Sequence, residues 1–168
     1  DTASGGELAV ALRAGVDPAH IGLHGNNKSD AFLRLCVESE VGHVVIDSHQ
    51  ELEQLEAVAK QAGVKQDVFV RVKPGVDAHT HEFIATSHED QKFGFTLEEA
   101  PDVVARIRQS PSLAFAGLHC HIGSQIFDVG GFEIAARRVL RLVAEVKERL
   151  GHTIDSLDLG GGFGVMYN

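Results

Sequence analysis

"VGHVVIDSHQELEQLEAVAKQA", residues 41–62, reads as one strand followed by one helix. The run "VGHVVIDS" is short, β-branched and stopped by serine, the pattern of a buried strand. Ser48 with Glu51 three residues on is a capping box, so a helix starts where the strand ends. Leu52, Leu55, Val58 and Ala62 then recur at helical spacing and give that helix one apolar face. Strand and helix in direct succession form the unit from which parallel sheets are built.

The unit recurs on both sides. Strand-like runs are "HIGLHG" (20–25), "DVFVRVKPG" (67–75), "FAGLHCHIG" (115–123) and "SLDLGG" (156–161). Ser4 and Glu7 form a second capping box before "LAVALRAG", with Gly15 suited to the C-terminal cap. Further helices are expected after Ser29 and from about Thr96 to Arg108, where Pro101 marks a later start. After Gly131, Phe132, Ala135, Val139, Val143, Val146 and Leu150 share one face of a long helix, and Glu133, Arg137, Arg138, Arg141, Lys147 and Glu148 take the other.

The series is α/β with parallel strands, about five βα units in all. Two architectures compete: an open doubly wound sheet, or part of a (β/α)₈ barrel, since a whole barrel takes roughly 250 residues. Polar residues and glycines gather at the C-terminal end of every strand: His24 to Asn27, Asp47 and Ser48, Arg71 and Lys73, His119 to Ser124, and Asp158 to Gly162. That rim is where barrels place their sites, and it favours the partial TIM-like barrel.

A net charge of −9 with no lysine or arginine run would repel a phosphate backbone, which excludes nucleic acid as a partner. Apolar stretches break well before the ~18 residues of a membrane helix, so no membrane is expected and the location inferred is cytoplasmic. Cys36 and Cys120 sit in apolar settings that suit reduced, buried thiols. Position 1 is Asp rather than Met, and the chain runs on from its last glycine turn without a stop, so an excerpt of a longer protein is expected.

Three stretches can carry chemistry. "SLDLGGGFG" (156–164) ends a strand on consecutive glycines, which let backbone N–H groups turn toward an anion with no Cβ in its way. No Gly-Lys-Ser/Thr follows, so this is no P-loop, and a purely structural turn remains the alternative. In "GLHCHIGS" (117–124), alternation puts His119 and His121 on one strand face and Leu118, Cys120 and Ile122 on the other. Two readings stand there: a pair of metal ligands, or one core histidine and one that lines a site. Ser124 can donate to a phosphate or cap a turn. The long connection "GVDAHTHEFIATSHEDQKFGF" (75–95) carries His79, His81, His88, Glu82, Glu89 and Asp90, but at no fixed ligand spacing, and no metal is assigned.

Taken in order, "DTASGGELAVALRAG", "LHGNNKS", "VVIDS", "VRVKPGVDAHTHEFIATSHEDQKFGF", "GLHCHIGSQIF" and "LDLGGGFG" resemble the diaminopimelate decarboxylases over essentially the whole chain. The resemblance implies a pyridoxal 5′-phosphate enzyme of the alanine-racemase-like barrel class, converting the amino acid meso-diaminopimelate to L-lysine and carbon dioxide. It implies that Gly160, Gly161 and Gly162 wrap the cofactor phosphate, that Ser124 adds a hydroxyl donor, and that His121 stacks on the pyridine ring. Asp1 and Arg71 match residues close to the reacting centre. It also implies that residues 1–168 are part of one barrel domain. The strand with the Schiff-base lysine and the C-terminal β domain would then lie outside, the parent would be a homodimer, and the excerpt alone would be inactive. None of Lys28, Lys60, Lys65, Lys73, Lys92 and Lys147 falls at the Schiff-base position. The rival readings are a related decarboxylase acting on arginine, ornithine or carboxynorspermidine, a non-catalytic homologue, and a metal-dependent hydrolase built on His119 and His121 with Asp47 and His24.

Overall fold

The computed structural model describes residues 1–76 and 93–166, so the histidines and carboxylates singled out between 79 and 90 lie outside the described residues. Its strands are β1 (Gly22–Leu23), β2 (His43–Ile46), β3 (Gln66–Lys73), β4 (Phe95–Thr96), β5 (Leu113–His119) and β6 (Leu157–Asp158). They form one parallel sheet in the order β1, β2, β3, β5, β6, with β4 paired to the C-terminal end of β3. A doubly wound sheet reverses its strand order at a switch point. Here the main path keeps chain order throughout, which is the arc of a barrel wall and settles the choice of architecture. Thr2 extends the arc beyond β1: its N–H donates to the Gly22 carbonyl at 2.9 Å and its carbonyl accepts from His24 N–H at 2.8 Å.

The helices are α1 (Gly5–Arg13), α2 (Asp30–Glu38), α3 (His49–Ala62), α4 (Ala100–Gln109) and α5 (Gly130–Leu150). Ser4, Ser29 and Ser48 cap the first three through their side-chain oxygens, and Pro101 sits in the first turn of α4, as its fixed φ favours. Both capping boxes are shifted by one residue. Glu7 accepts from Ala3 N–H at 2.6 Å, and Glu51 accepts from the N–H of Asp47, one residue before each cap. Among the described residues, no helix is long and apolar enough to cross a membrane.

Strand periodicity divides the sheet into two faces. Val44, Ile46, Val68, Val70, Val72, Leu118 and Cys120 form one core with Leu33, Leu52, Leu55, Val103, Ile107, Val139, Leu142 and Val146 of the helices. The alternate residues, His43, Phe69, Arg71 and His119 among them, take the concave face. His43 stacks on Phe69 with ring centroids 4.2 Å apart, and that phenyl ring lies against Gly117, where a Cβ would be 2.8 Å from it. Aromatic rings thus fill one level of the concave side, and the polar residues lie above them toward the strand ends. Cys36 and Cys120 are both buried and free.

Candidate active site

Register lines four neighbouring strands up into one row of charge. Arg71 pairs with His119, and His119 with Asp158. Asp47, one step past the Ile46–Val70 pair, falls opposite Arg71, with 3.6 Å between Oδ2 and the guanidinium. The Arg71 guanidinium also lies 5.3 Å from the centre of the Phe93 ring. His119 is buried, its ring meets the edge of His24 at 4.9 Å, and its Nδ1 has no hydrogen-bond partner among the described residues. His24 Nε2 is in turn 3.1 Å from Asp1 Oδ1.

Above this row lies a cleft of about 510 Å³, within the roughly 300–1,000 Å³ typical of small-molecule sites. Asp1, Arg71, His121, Gly160 and Gly161 line it, as do Thr2, Glu7, His24, His119 and Asp158. Ser124 and Gly162 lie behind the lining rather than in it. Gly160 N–H donates to Asp158 Oδ1 at 2.8 Å, which closes the turn after β6. At Gly160, φ is +72° and a Cβ would come within 2.6 Å of the Cys120 carbonyl oxygen. At Gly162, φ is +100° and a Cβ would strike the Gly123 carbonyl. Only glycine serves at either position. Gly161 differs: nothing lies within 4 Å of the place its Cβ would take, so its backbone is bare toward the cleft. The loop after β5 is tied to this turn by Ile126 N–H to the Gly162 carbonyl and by Gly164 N–H to the Ile126 carbonyl, both 2.8 Å. Ser124 is thereby held beside the glycines although it is distant in sequence.

One residue the sequence reading left without a role is fully committed elsewhere. Lys28 is buried, and its Nζ donates to the Gly25 carbonyl at 2.6 Å, to the Val45 carbonyl at 2.7 Å and to Glu51 Oε1 at 2.6 Å. Those acceptors use all three ammonium hydrogens, so this lysine has none left for a ligand. It pins the loop after β1 to the start of α3, immediately under the rim.

His24, His119 and Asp158 bring one ligand atom each to within 4.8 Å of one another. Two histidines and a carboxylate are ligand types that zinc takes, so this trio is where a metal reading of His119 would be built; His121 and Asp47 are not part of it. The imidazole of His119 is pushed down to about 3 by burial, with the charge of Asp158 opposing and those of His24, Arg71 and His121 adding to the shift. Burial likewise lowers His24. Both rings are neutral at pH 7, so neither adds to the positive charge that Arg71 brings to the cleft.

The folded-state value of His119 lies below its unfolded value of 6.5. Its stabilising contribution is therefore complete above pH 6.5 and is lost as the pH falls toward about 3. Urea titrations should show the parent losing about 2 kcal/mol more than His119→Asn between pH 7 and pH 5. Parallel losses in the two proteins would contradict this.

These residues fit a small, flat, phosphate-bearing ligand. A bare glycine backbone is available to an anion, and among the described residues Arg71 is the one lysine or arginine side chain in the lining and the Nδ1 of His119 is without a hydrogen-bond partner. Thr2 and Asp158 are lining residues without an assigned role in the sequence, where Glu7 reads only as a capping-box partner and His24 only as a ligand in the hydrolase alternative. The signal for His24 was its place at the end of a strand; Thr2 and Glu7 lie in a stretch that reads only as a helix start.

The model of the family described as pyridoxal-dependent decarboxylase, pyridoxal binding domain, matches residues 1–168. The chain is 53% identical over 169 residues to the diaminopimelate decarboxylase of Corynebacterium efficiens, covering 99% of this chain and 37% of that protein. Its fold matches the crystal structure of diaminopimelate decarboxylase from M. jannaschi with a TM-score of 0.90 at 34% identity, covering 100% of this chain and 39% of that one. It matches the Helicobacter pylori diaminopimelate decarboxylase complexed with L-lysine with a TM-score of 0.87 at 32% identity, covering 97% and 41%. The chain thus spans about two fifths of the length of the relatives it matches.

Proposed function

This chain belongs to the pyridoxal-dependent decarboxylases, by their pyridoxal-binding domain, and its cofactor is accordingly pyridoxal 5′-phosphate; from that premise we propose that the protein bearing it converts meso-diaminopimelate to L-lysine and carbon dioxide. The observation that carries the reading is the turn after β6, whose bare Gly161 backbone opens into the same cleft as Arg71 and His121. Identity of 53% to a diaminopimelate decarboxylase favours that substrate over ornithine or arginine.

When bound, the conjugated ring of the cofactor accepts the electron pair left at Cα as the carboxylate departs. The roles of this chain are to bind and to orient. Gly161 and Gly162 would hold the phosphate with backbone N–H groups, Gly160, whose own N–H is given to Asp158, would shape the turn that presents them, and the Ser124 hydroxyl would add a donor from the adjoining loop. His121, which lines the cleft, would stack on the ring and so fix its orientation. Arg71 offsets anionic charge in the cleft, and Asp1, beside the neutral ring of His24, borders the reacting centre. His119 presents an uncharged imidazole and leaves Arg71 as the cation of the lining among the described residues.

Residues 1–168 are one part of a barrel domain in this reading. The Schiff-base lysine and a C-terminal β domain come from segments outside them, and the assembled enzyme is a cytoplasmic homodimer. The wall supports the incomplete-domain reading: Leu157 on β6, with Phe163, Val165 and Met166 after it, is exposed. Carbon dioxide release by the full-length protein, compared among candidate amino acids, is the test.

A further inference from the structure

We propose that Asp47 is a positioning residue that fixes where Arg71 presents its guanidinium in the cleft, an inference that rests on the cofactor reading of that cleft. Asp47 ends β2 and is 6% exposed, yet among the described residues no side chain hydrogen-bonds either carboxylate oxygen, and the donor that acts on it is the backbone N–H of Gly94. A buried carboxylate with so little hydrogen bonding is costly, and a well-packed apolar side chain would serve stability better. The cation nearest to it is Arg71, 3.6 Å away on the adjacent strand. Of the other two cations that act on it, Lys28 is already bonded to Glu51 and to two carbonyls, and Lys73 has the smallest effect. Burial raises the Asp47 carboxyl, and Arg71 is the first of the groups that draw it back toward ionisation.

The same arrangement constrains Arg71 from two directions. A guanidinium is a rigid, planar fork of five N–H donors. Asp47 takes one edge of it, and Phe93 covers it at 5.3 Å from the ring centre, a cation–π separation. The backbone of Arg71 is fixed in β3 between β2 and β5. With one edge anchored and one face covered, the remaining donors are left for the cleft, where the Arg71 side chain is 16% exposed. Removing the charge of Asp47 frees a long side chain to turn toward water. The anion it recognises, whether on the cofactor or on the substrate, then loses an oriented donor.

A double-mutant cycle in the full-length protein separates positioning from mere stability. Asp47→Asn, Arg71→Gln and the double variant are compared by pyridoxal 5′-phosphate affinity of the unloaded protein, by kcat/KM of the loaded one and by melting temperature. Arg71→Gln should lower at least one of the first two by 10-fold or more, and Asp47→Asn should lower the same quantity by at least 5-fold. The double variant should be no worse than Arg71→Gln alone, and Asp47→Glu, which keeps the charge, should recover part of the loss. If Asp47→Asn does not fold, Asp47→Ser, which also removes the charge, takes its place in the cycle with the same criterion. Losses that multiply, an Asp47→Asn value within 2-fold of the parent, or an Arg71→Gln variant unchanged in both quantities would overturn the inference. A parent that binds no pyridoxal 5′-phosphate would overturn the site reading as well, so the two failures are told apart.

Discussion

Gly162→Ala should bind pyridoxal 5′-phosphate at least 100-fold more weakly than the parent, whereas Gly161→Ala should lose about 10-fold with its fold intact. The difference follows from what each methyl group meets. At position 162 it strikes the Gly123 carbonyl at a φ of +100°, so the turn after β6 must part from the loop after β5. Both ends of the phosphate cradle, Ser124 included, then move. A backbone forced out of place costs of order 1–3 kcal/mol, and the loss of one or two charge-assisted hydrogen bonds about 1.5–3 kcal/mol each. Two tenfold steps correspond to about 2.8 kcal/mol, so the predicted loss lies within that range. At position 161 the methyl group meets nothing within 4 Å among the described residues, so what it obstructs is a ligand in the cleft. Titration of the unloaded full-length proteins, with melting temperatures alongside, reads both effects. Gly161→Ala binding as tightly as the parent would leave the glycines to structure alone.

The second large effect is on stability. Lys28→Met should destabilise the protein by about 3–5 kcal/mol, because Glu51 is left buried without its cation and the Gly25 and Val45 carbonyls lose their donor. Breaking one partner of a buried pair costs more than replacing both. Lys28→Met with Glu51→Leu should therefore recover part of the loss, though the two carbonyls remain unpaired and keep it about 1–3 kcal/mol below the parent. Burial raises the Glu51 carboxyl even with Lys28 beside it, which shows how poorly the site tolerates an unbalanced charge. Urea denaturation measures the series; a cost under about 1 kcal/mol for Lys28→Met would mean that water reaches the pair.

What the sequence made legible was local. Serine caps, the strand-to-helix handover at Ser48 and the late start at Pro101 are decided by neighbours in the chain, and the structure has them there. The alternation that put His119 and His121 on one face needed only the two-residue strand period, and both line the cleft. The barrel arc was foreseen because the polar residues share one end of every strand. Cross-strand relations were out of reach. Asp47 and Arg71 meet only through the β2–β3 register, and Lys28 and Glu51 only through the parallel pairing that stacks two βα units. Glu51 illustrates the limit: as the third residue after Ser48 it reads as a capping-box partner, and its carboxylate is chiefly the counterion of Lys28. β4 is another case, two residues whose strand character comes from the edge of β3 that they complete rather than from their own pattern. The apolar face of α5 was traced through Val143 and Leu150, while the buried Leu142 beside them was passed over because three- and four-residue steps diverge over a long helix.

The central claim, a pyridoxal 5′-phosphate enzyme acting on meso-diaminopimelate, is tested most directly by carbon dioxide release from the loaded full-length protein. The substrates to compare are meso-diaminopimelate, ornithine and arginine at equal concentrations. Gas release from meso-diaminopimelate, in equal amount with L-lysine and at least 100-fold faster than from the other two, is the result predicted. Release from ornithine or arginine at a matching rate, or none from any of the three with cofactor bound, would contradict it.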